Sequence, residues 1–133
     1  MLTLDAIDYL VLNVRDVEIS AAWYERVLGM RRRNAQAPTG ETRTSVLFGP
    51  HKINLRPADA STADWFTAQV PTVGTADLCF LTAVPPDDVA EHFRRCDVVI
   101  EQGPVTKSGA RGPIQSVYVR DPDGNLIEVS SYR

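Results

Sequence analysis

One pattern is written twice along this chain, and a half-domain repeated in tandem leaves few folds open. The first copy runs from the apolar, β-branched segment Ile7–Val14 into a helical stretch, Val17–Leu28. It closes with Ser45–Phe48, a Gly49-Pro50 turn and Lys52–Arg56. The second copy opens with Ala76–Thr82 and continues through a helical stretch, Asp87–Cys96. It closes with Ser116–Arg120, the turn Asp121-Pro122-Asp123-Gly124 and Asn125–Ser130. Self-similarity of this kind outweighs local propensity as an architectural signal. Each copy holds a strand, a helix and an antiparallel run, too little to close its own core. Two such curled sheets, paired, enclose a cleft, and the side chains pointing into it decide its chemistry.

A chain of 133 residues with 44% hydrophobic content fits one domain with a substantial core. Its net charge of -3 and pI near 5.3 argue against nucleic acid as the main partner, since phosphate binding needs a basic face. No apolar run approaches the roughly 18 residues of a membrane span, and no charged-then-apolar leader pattern opens the chain. Cys79 falls mid-strand and Cys96 ends a helix, with no CxxC spacing. Two buried, reduced thiols in a cytoplasmic protein are the expectation.

Asp16 suits a helix N-cap, Glu18 the first turn and Gly29 the stop, with Val17, Ala21, Tyr24 and Leu28 on one face. Pro85-Pro86 introduces the second helix, Asp87 and Asp88 favour its start, and Val89, Phe93 and Cys96 form its inner face. The span Pro57–Gly74, rich in Ala, Thr and Pro, reads as a linker that Trp65 and Phe66 anchor to the surface. Module one then covers residues 5–57, the linker 58–74 and module two 75–131 of a single domain.

Three segments, Ile7–Leu12, Trp23–Met30 and Asp121–Glu128, resemble the vicinal oxygen chelate superfamily. That group includes glyoxalase I, bleomycin-resistance proteins, fosfomycin-resistance enzymes and extradiol dioxygenases. Phe48–Leu55, Ala76–Phe80 and Gly112–Tyr118 look closer still to its glyoxalase-domain-containing subgroup. The likeness covers nearly the whole chain apart from the linker, and it is specific for the fold rather than the reaction. It implies an α+β fold of two tandem βαβββ modules in a cupped sheet, a homodimer, and a divalent metal on the inner face. Carried over position by position, the ligands are Tyr9, Asp77 and Glu128, with Asn54 or Arg56 in the remaining place. Relatives show His where this chain has Tyr9, and the close subgroup shows His where it has Arg56.

Both imidazoles are therefore missing. Imidazole suits zinc, nickel and iron, whereas an all-oxygen set suits magnesium, manganese or calcium. The two histidines, His51 in a turn and His92 on the second helix, are expected away from the cup strands. Tyr9, Asp77 and Glu128 remain as an oxygen-only set, which Arg56 opposes. Strand alternation places Asn54 and Arg56 on one face, matched in the repeat to Glu128 and Ser130, and a permanent guanidinium charge repels a cation. The favoured expectation is loss of the ancestral metal and no cofactor.

Under that expectation Arg56 takes over the metal's electrostatic role on a carboxylate, phenolate or enolate oxygen. Glu128, its pKa raised in a mostly apolar cleft, serves as general base, and Tyr9 donates a proton or hydrogen bond. Asp77, Asn54, Cys79 and Arg111 are the candidate substrate contacts. The reaction is proton abstraction beside a carbonyl of a small oxygenated molecule, giving isomerisation, epimerisation or ring closure. In the alternative, Arg56 and Glu128 pair with each other and the cleft sequesters a drug-like or aromatic ligand. A third reading, a metal-dependent lyase or ring-cleaving dioxygenase, needs imidazole ligands that the cup strands lack. Arg31-Arg32-Arg33 reads as a solvated strand edge complementing the helix C-terminus. The loop Lys107–Pro113 reads as a cover over the cup mouth that brings Arg111 to an anionic ligand.

Overall fold

Asp16 and Gly29 bracket the first helix as their chemistry dictates. In the computed structural model, which describes residues 1–132, the Asp16 carboxylate accepts the Ile19 N–H at 3.0 Å. At the other end Gly29 adopts a left-handed φ of 65° and its N–H bonds the Tyr24 carbonyl. Helix ends leave backbone groups without internal partners, and these caps supply some of them. Helix α1 therefore spans Val17–Leu28, between strand β1 (Tyr9–Val14) and strands β2 (Arg31–Gln36), β3 (Thr42–Phe48) and β4 (His51–Pro57).

The chain divides into two units, Met1–Val73 and the part from Gly74 onward. In the first, the strands lie in the order β1-β4-β3-β2, with β1 parallel to β4 and the other pairs antiparallel. Helix α1 covers one face, burying Ala21, Tyr24 and Val27 over Val46, Ile53 and Leu55. Each such side chain contributes roughly 1.5–3 kcal/mol through burial. Val17 and Leu28, expected in the inner stripe, are half-buried, while Ser20 and Val27 are fully inside.

The second unit repeats the plan. Strand β5 (Asp77–Leu81), helix α2 (Pro86–Arg95) and strands β6 (Gln102–Gly109), β7 (Gly112–Arg120) and β8 (Leu126–Ser131) follow in turn. The sheet order is β5-β8-β7-β6, with β5 parallel to β8. Val89, Ala90 and Phe93 of α2 are buried, as are Val117, Val119 and Ile127 on the strands it packs against. The registers bear out the repeat: Tyr9 opposes Lys52 as Asp77 opposes Leu126, and Val11 opposes Asn54 as Cys79 opposes Glu128. One step on, Arg56 occupies the place of Ser130.

A buried polar knot ties these strands. Asp121 Oδ1 accepts the N–H groups of Asp123 and Asn125, both at 2.9 Å. Asp121 Oδ2 accepts Asn125 Nδ2 at 2.8 Å. Asn125 Oδ1 in turn accepts the Ala76 N–H at 2.8 Å, which joins the β7–β8 turn to the start of β5.

Several sequence expectations need correction. Lys107–Pro113 is not a covering loop: Lys107–Gly109 ends β6, Gly112-Pro113 begins β7, and Ala110-Arg111 alone form the turn. An edge strand carries no obligation to show an apolar run, and a two-residue turn flanked by glycines looks like a loop in sequence. The thiols are not buried; Cys79 is exposed, Cys96 is half-buried at the end of α2, and both are free. Cys79 shares the exposed phase of β5 with Asp77 and Leu81, on the side away from α2. His51 is the first residue of β4 rather than a turn residue, exposed, with its ring tilted 5.5 Å from that of Phe48. Of the linker aromatics Trp65 is 7% exposed and anchors the segment, whereas Phe66 is 91% exposed and does not.

Asn125→Ala removes the amide that closes the knot and strands the buried carboxylate of Asp121. The expected loss is about 2–3 kcal/mol, read as a lower urea midpoint with an unchanged denaturant slope. An unchanged midpoint would show that the knot does not hold the sheet.

Candidate functional site

Glu128 sits at the centre of the second sheet, on the face that α2 leaves bare. The pleat places alternate residues on one side, and residues opposed across neighbouring strands share that side. Ile127, Val117 and Val119 take the helix side. Glu128, Tyr118 and Gln102 therefore form a row with Cys79 across all four strands. The adjoining rows bring Asp77, Leu126 and Arg120 on one flank, and Ser130 and Ser116 on the other. Gly103 lets β6 lie this close to β7, because a Cβ there would meet the Ser116 carbonyl oxygen at 2.3 Å.

A cavity of about 480 Å³ opens on this face, lined by Asp77, Glu101, Lys107, Tyr118, Leu126 and Glu128, with Gln102 and Arg120 beside them. Its floor is polar, not the apolar cleft expected from sequence. Glu128 is 9% exposed, and its Oε2 accepts Ser116 Oγ at 2.5 Å and Ser130 Oγ at 3.1 Å. Those two hydroxyls also bond each other at 2.7 Å. Both serine contacts fall on Oε2, and the carboxylate also takes a hydrogen bond from the Tyr118 phenol.

Neighbouring groups respond to this carboxylate. Burial, then the hydrogen bond and negative charge of Glu128, push the Tyr118 phenol up to about 12. Although Cys79 is exposed as a residue, partial desolvation of its sulfur holds the thiol above its ordinary value, while its bond to Ser130 Oγ at 3.5 Å pulls the other way. Cys79 is thus a protonated thiol at neutral pH, unsuited to nucleophilic attack. Lys107 Nζ lies 5.6 Å over the Tyr118 ring. Arg120 Nε is paired with Glu101 at 2.8 Å, leaving Lys107 as the more available cation of the cavity.

The expected site residues are divided between the two sheets. Glu128, Asp77 and Cys79 come together on the second sheet. Tyr9, Asn54 and Arg56 lie on the first. Tyr9 is exposed, with Lys52 Nζ 4.9 Å over its ring. Asn54 Oδ1 accepts Ser45 Oγ at 2.7 Å.

Arg56 is fully buried, contrary to a role on substrate. Its Nε reaches the Trp65 carbonyl at 3.3 Å, and its Nη1 reaches Asn13 Oδ1 at 2.8 Å and the Pro57 carbonyl at 3.4 Å. Its Nη2 reaches the carbonyls of Ala60 at 2.7 Å and Trp65 at 3.2 Å. All five guanidinium N–H donors are spent. Both Arg56 as oxyanion partner and the Arg56–Glu128 pair are therefore corrected: the charge is compensated by carbonyl dipoles of the segment after β4. Arg111 is likewise elsewhere, stacked 4.4 Å over Tyr132 at the β6–β7 turn, with its N–H bonded to the Tyr132 hydroxyl. Sequence reasoning missed Tyr118, Ser116 and Lys107. The alternation Ser116-Val117-Tyr118-Val119-Arg120 was a usable signal for the first two.

A metal would need ligands in a group. Among the described residues no three His, Cys, Asp or Glu side chains gather in a way that could hold one. The second sheet offers two carboxylates without an imidazole, and one oxygen of Glu128 is already committed to serine hydroxyls.

Residues 6–129 match the family described as Glyoxalase/Bleomycin resistance protein/Dioxygenase superfamily. The chain is 42% identical over 129 residues to Virulence protein STM3117 of Salmonella typhimurium, spanning 97% of this chain and 85% of that protein. It is 38% identical to the Glyoxalase domain-containing protein RDO1 of Mycosarcoma maydis, spanning 99% and 71% of the two. An integron cassette protein from the mobile metagenome of V. cholerae superimposes with a TM-score of 0.89 at 41% identity, covering 100% and 99% of the two chains. At lower identity the fold alone is shared. Lactoylglutathione lyase from Agrobacterium tumefaciens (23%) and TnmS3, an antibiotic binding protein from Streptomyces (18%), each give a TM-score of 0.73.

Two outcomes test this geometry. Ultraviolet titration should find one tyrosine ionising near 12, and Glu128→Gln should bring it part of the way down, since burial remains. The unfolded phenol ionises near 10.0 and the folded one near 12, so the unfolded state binds fewer protons between them and stability falls as pH rises through that window. Arg56→Met should cost about 3 kcal/mol and expose the 58–65 segment to limited proteolysis; a neutral result would refute the structural role of Arg56.

Proposed function

Because the chain belongs to the glyoxalase/bleomycin resistance protein/dioxygenase superfamily, we propose that its second sheet abstracts a proton beside a carbonyl of a small oxygenated organic molecule. The arrangement of Glu128 carries this reading: a nearly buried carboxylate, anchored through one oxygen, at the floor of a cavity. Oε1 receives the proton from the carbon next to the carbonyl while the serines hold the group in place. The electrons move onto the carbonyl oxygen. Tyr118, whose phenol keeps its proton throughout the neutral range, turns its hydrogen bond to that oxygen, and Lys107 adds positive charge nearby. Return of the proton from Glu128 to the other face of the same carbon completes an epimerisation; where that carbon bears a hydroxyl, transfer of the hydroxyl proton to the enolate oxygen and return of the Glu128 proton to the former carbonyl carbon completes an isomerisation.

Tyr118 and Lys107 thus take the part that sequence reasoning assigned to Arg56. We place no resident metal or other cofactor in this scheme, on the chemistry of the donor set, and no step is routed through one. Asp77 is a substrate contact at the cavity rim, and Cys79 lies opposite Glu128 on the same face. The same reading takes the chain to be a cytoplasmic homodimer; no helix among the described residues is long and apolar enough to cross a membrane. The exposed side chains of Tyr9 and Leu81 on the edge strands β1 and β5 support association.

A second reading is capture without turnover. It draws on the bonds from Ser116 and Ser130, which satisfy Glu128 without any substrate, and on the existence of antibiotic-binding proteins of this fold. The two readings part in heavy water. With a panel of small hydroxyketones and 2-oxo acids, catalysis predicts deuterium entering beside the carbonyl, slowed roughly a hundredfold or more by Glu128→Gln. Binding that shows no exchange in the unaltered protein would establish capture, and exchange insensitive to Glu128→Gln would remove this residue as the base.

A further inference from the structure

We propose that Tyr132 is a positioning residue that holds the Lys107 ammonium over the Tyr118 ring. The inference rests on the part given to Lys107 in proton abstraction, and it concerns what keeps that cation in place. A lysine has a flexible stem and a strongly hydrated charge, so nothing in its own chemistry fixes it to an aromatic face. Among the described residues no ion pair takes Lys107. Its strand is β6, an edge that pairs with β7 alone. That pairing is irregular between Gln102 and Val105, so Lys107 must be secured from the other end, at the β6–β7 turn.

One side chain reaches that turn from β8. Tyr132 follows directly on the strand, and the alternation of Glu128, Ser130 and Tyr132 puts it on the site face. Ile114 and Lys107 oppose each other on the same face, because Ile114 alternates with Ser116 and Tyr118. The half-buried Tyr132 accepts the Arg111 N–H on its hydroxyl at 3.0 Å. The Arg111 guanidinium also lies 4.4 Å over its ring. The phenol therefore grips the turn through the backbone and through its π face. Arg111, expected on a ligand, serves instead as the other half of this clasp.

Gly109 is an independent sign that the contact is built in. Gly112 has a φ of 132°, which favours glycine by itself. Gly109 has no positive φ and needs another reason. A Cβ there would stand 2.6 Å from the Tyr132 hydroxyl and 2.9 Å from Ile114 Cγ2. The missing side chain is the space that the phenol occupies. Lys107 precedes Gly109 on the same face of β6, and its Nζ lies 5.6 Å over the Tyr118 ring. With the hairpin pinned from Gly109 to Arg111, the Lys107 stem starts from a fixed point beside Tyr118.

The full chain carrying carbon-13 lysine reads this directly by NMR. The Lys107 ε-methylene protons, assigned by their loss in Lys107→Gln, should be displaced upfield by the Tyr118 ring and show a nuclear Overhauser contact to it. Tyr132→Leu should abolish both signatures. Gly109→Ala, which leaves Tyr132 in the chain but displaces its hydroxyl, should weaken them. Tyr132→Phe keeps the ring and should lose them only in part, and it preserves the test if the leucine variant does not fold. Lys52, whose Nζ lies 4.9 Å over the Tyr9 ring of the first sheet, is the control and should not move. In heavy water, exchange beside the carbonyl should slow roughly tenfold in Tyr132→Leu, as in Lys107→Gln, with the double variant no slower than either. Lys107 signals unchanged in folded Tyr132→Leu and Gly109→Ala, Lys52 signals moving in step with them, or additive losses in the double variant would overturn the proposal. A protein that shows no exchange would remove Lys107 from catalysis, while the Lys107 signals would still decide whether Tyr132 positions it.

Discussion

The parallel pairing of the first strand of each unit with its last is the constraint on which the rest depends. An antiparallel hairpin fixes its own register through its turn, but a parallel pair must be aligned by contacts far apart in sequence. In the second unit Asn125 and Asp121 supply that alignment. Their buried knot holds the Ala76 N–H against the β7–β8 turn, so that Asp77 starts opposite Leu126 and Cys79 lies opposite Glu128. A shift of β5 by one residue would turn Asp77 and Cys79 towards α2 and bring Leu78 and Phe80 out beside Glu128.

The first unit meets a related problem with a cation. Arg56 gathers the carbonyls of Pro57, Ala60 and Trp65, and Arg43 adds a bond to the Asp64 carbonyl and stacks 4.2 Å over the Trp65 ring. An irregular segment is thereby folded down onto the end of β4. Burial of an unpaired guanidinium would be costly, but five hydrogen bonds to four acceptors offset much of that cost. Arg56 is thus as constrained as a catalytic group would be, for a reason unconnected with substrate.

Duplication gave two sheets of one geometry and left their bare faces to diverge. At equivalent places Asn54 stands against Glu128, Tyr9 against Asp77, and Arg56 against Ser130. One face is rich in donors and the other is centred on an acceptor cradled by hydroxyls. Family membership sets the shared frame, and these substitutions set the charge and hydrogen-bonding character of each sheet.

The repeat, both helices, the hairpin at Asp121–Gly124 and the position of Glu128 on the last strand were legible in the chain, because periodicity, caps and turn residues act through neighbours close in sequence. Alternation also placed Asn54 with Arg56 on one face. Partners were not legible. Whether Arg56 meets an anion, a metal or backbone carbonyls depends on where the segment after β4 returns, and nothing local dictates that. Nor does composition around Glu128 announce two serine hydroxyls and a phenol, since Ser116 and Tyr118 reach it across a strand pairing rather than along the chain. The sequence by itself determined the elements and the side of each strand on which a residue lies. Tertiary structure alone decided which of those residues meet, since hydrogen bonds and charge act over a few ångströms of space whatever the separation along the chain.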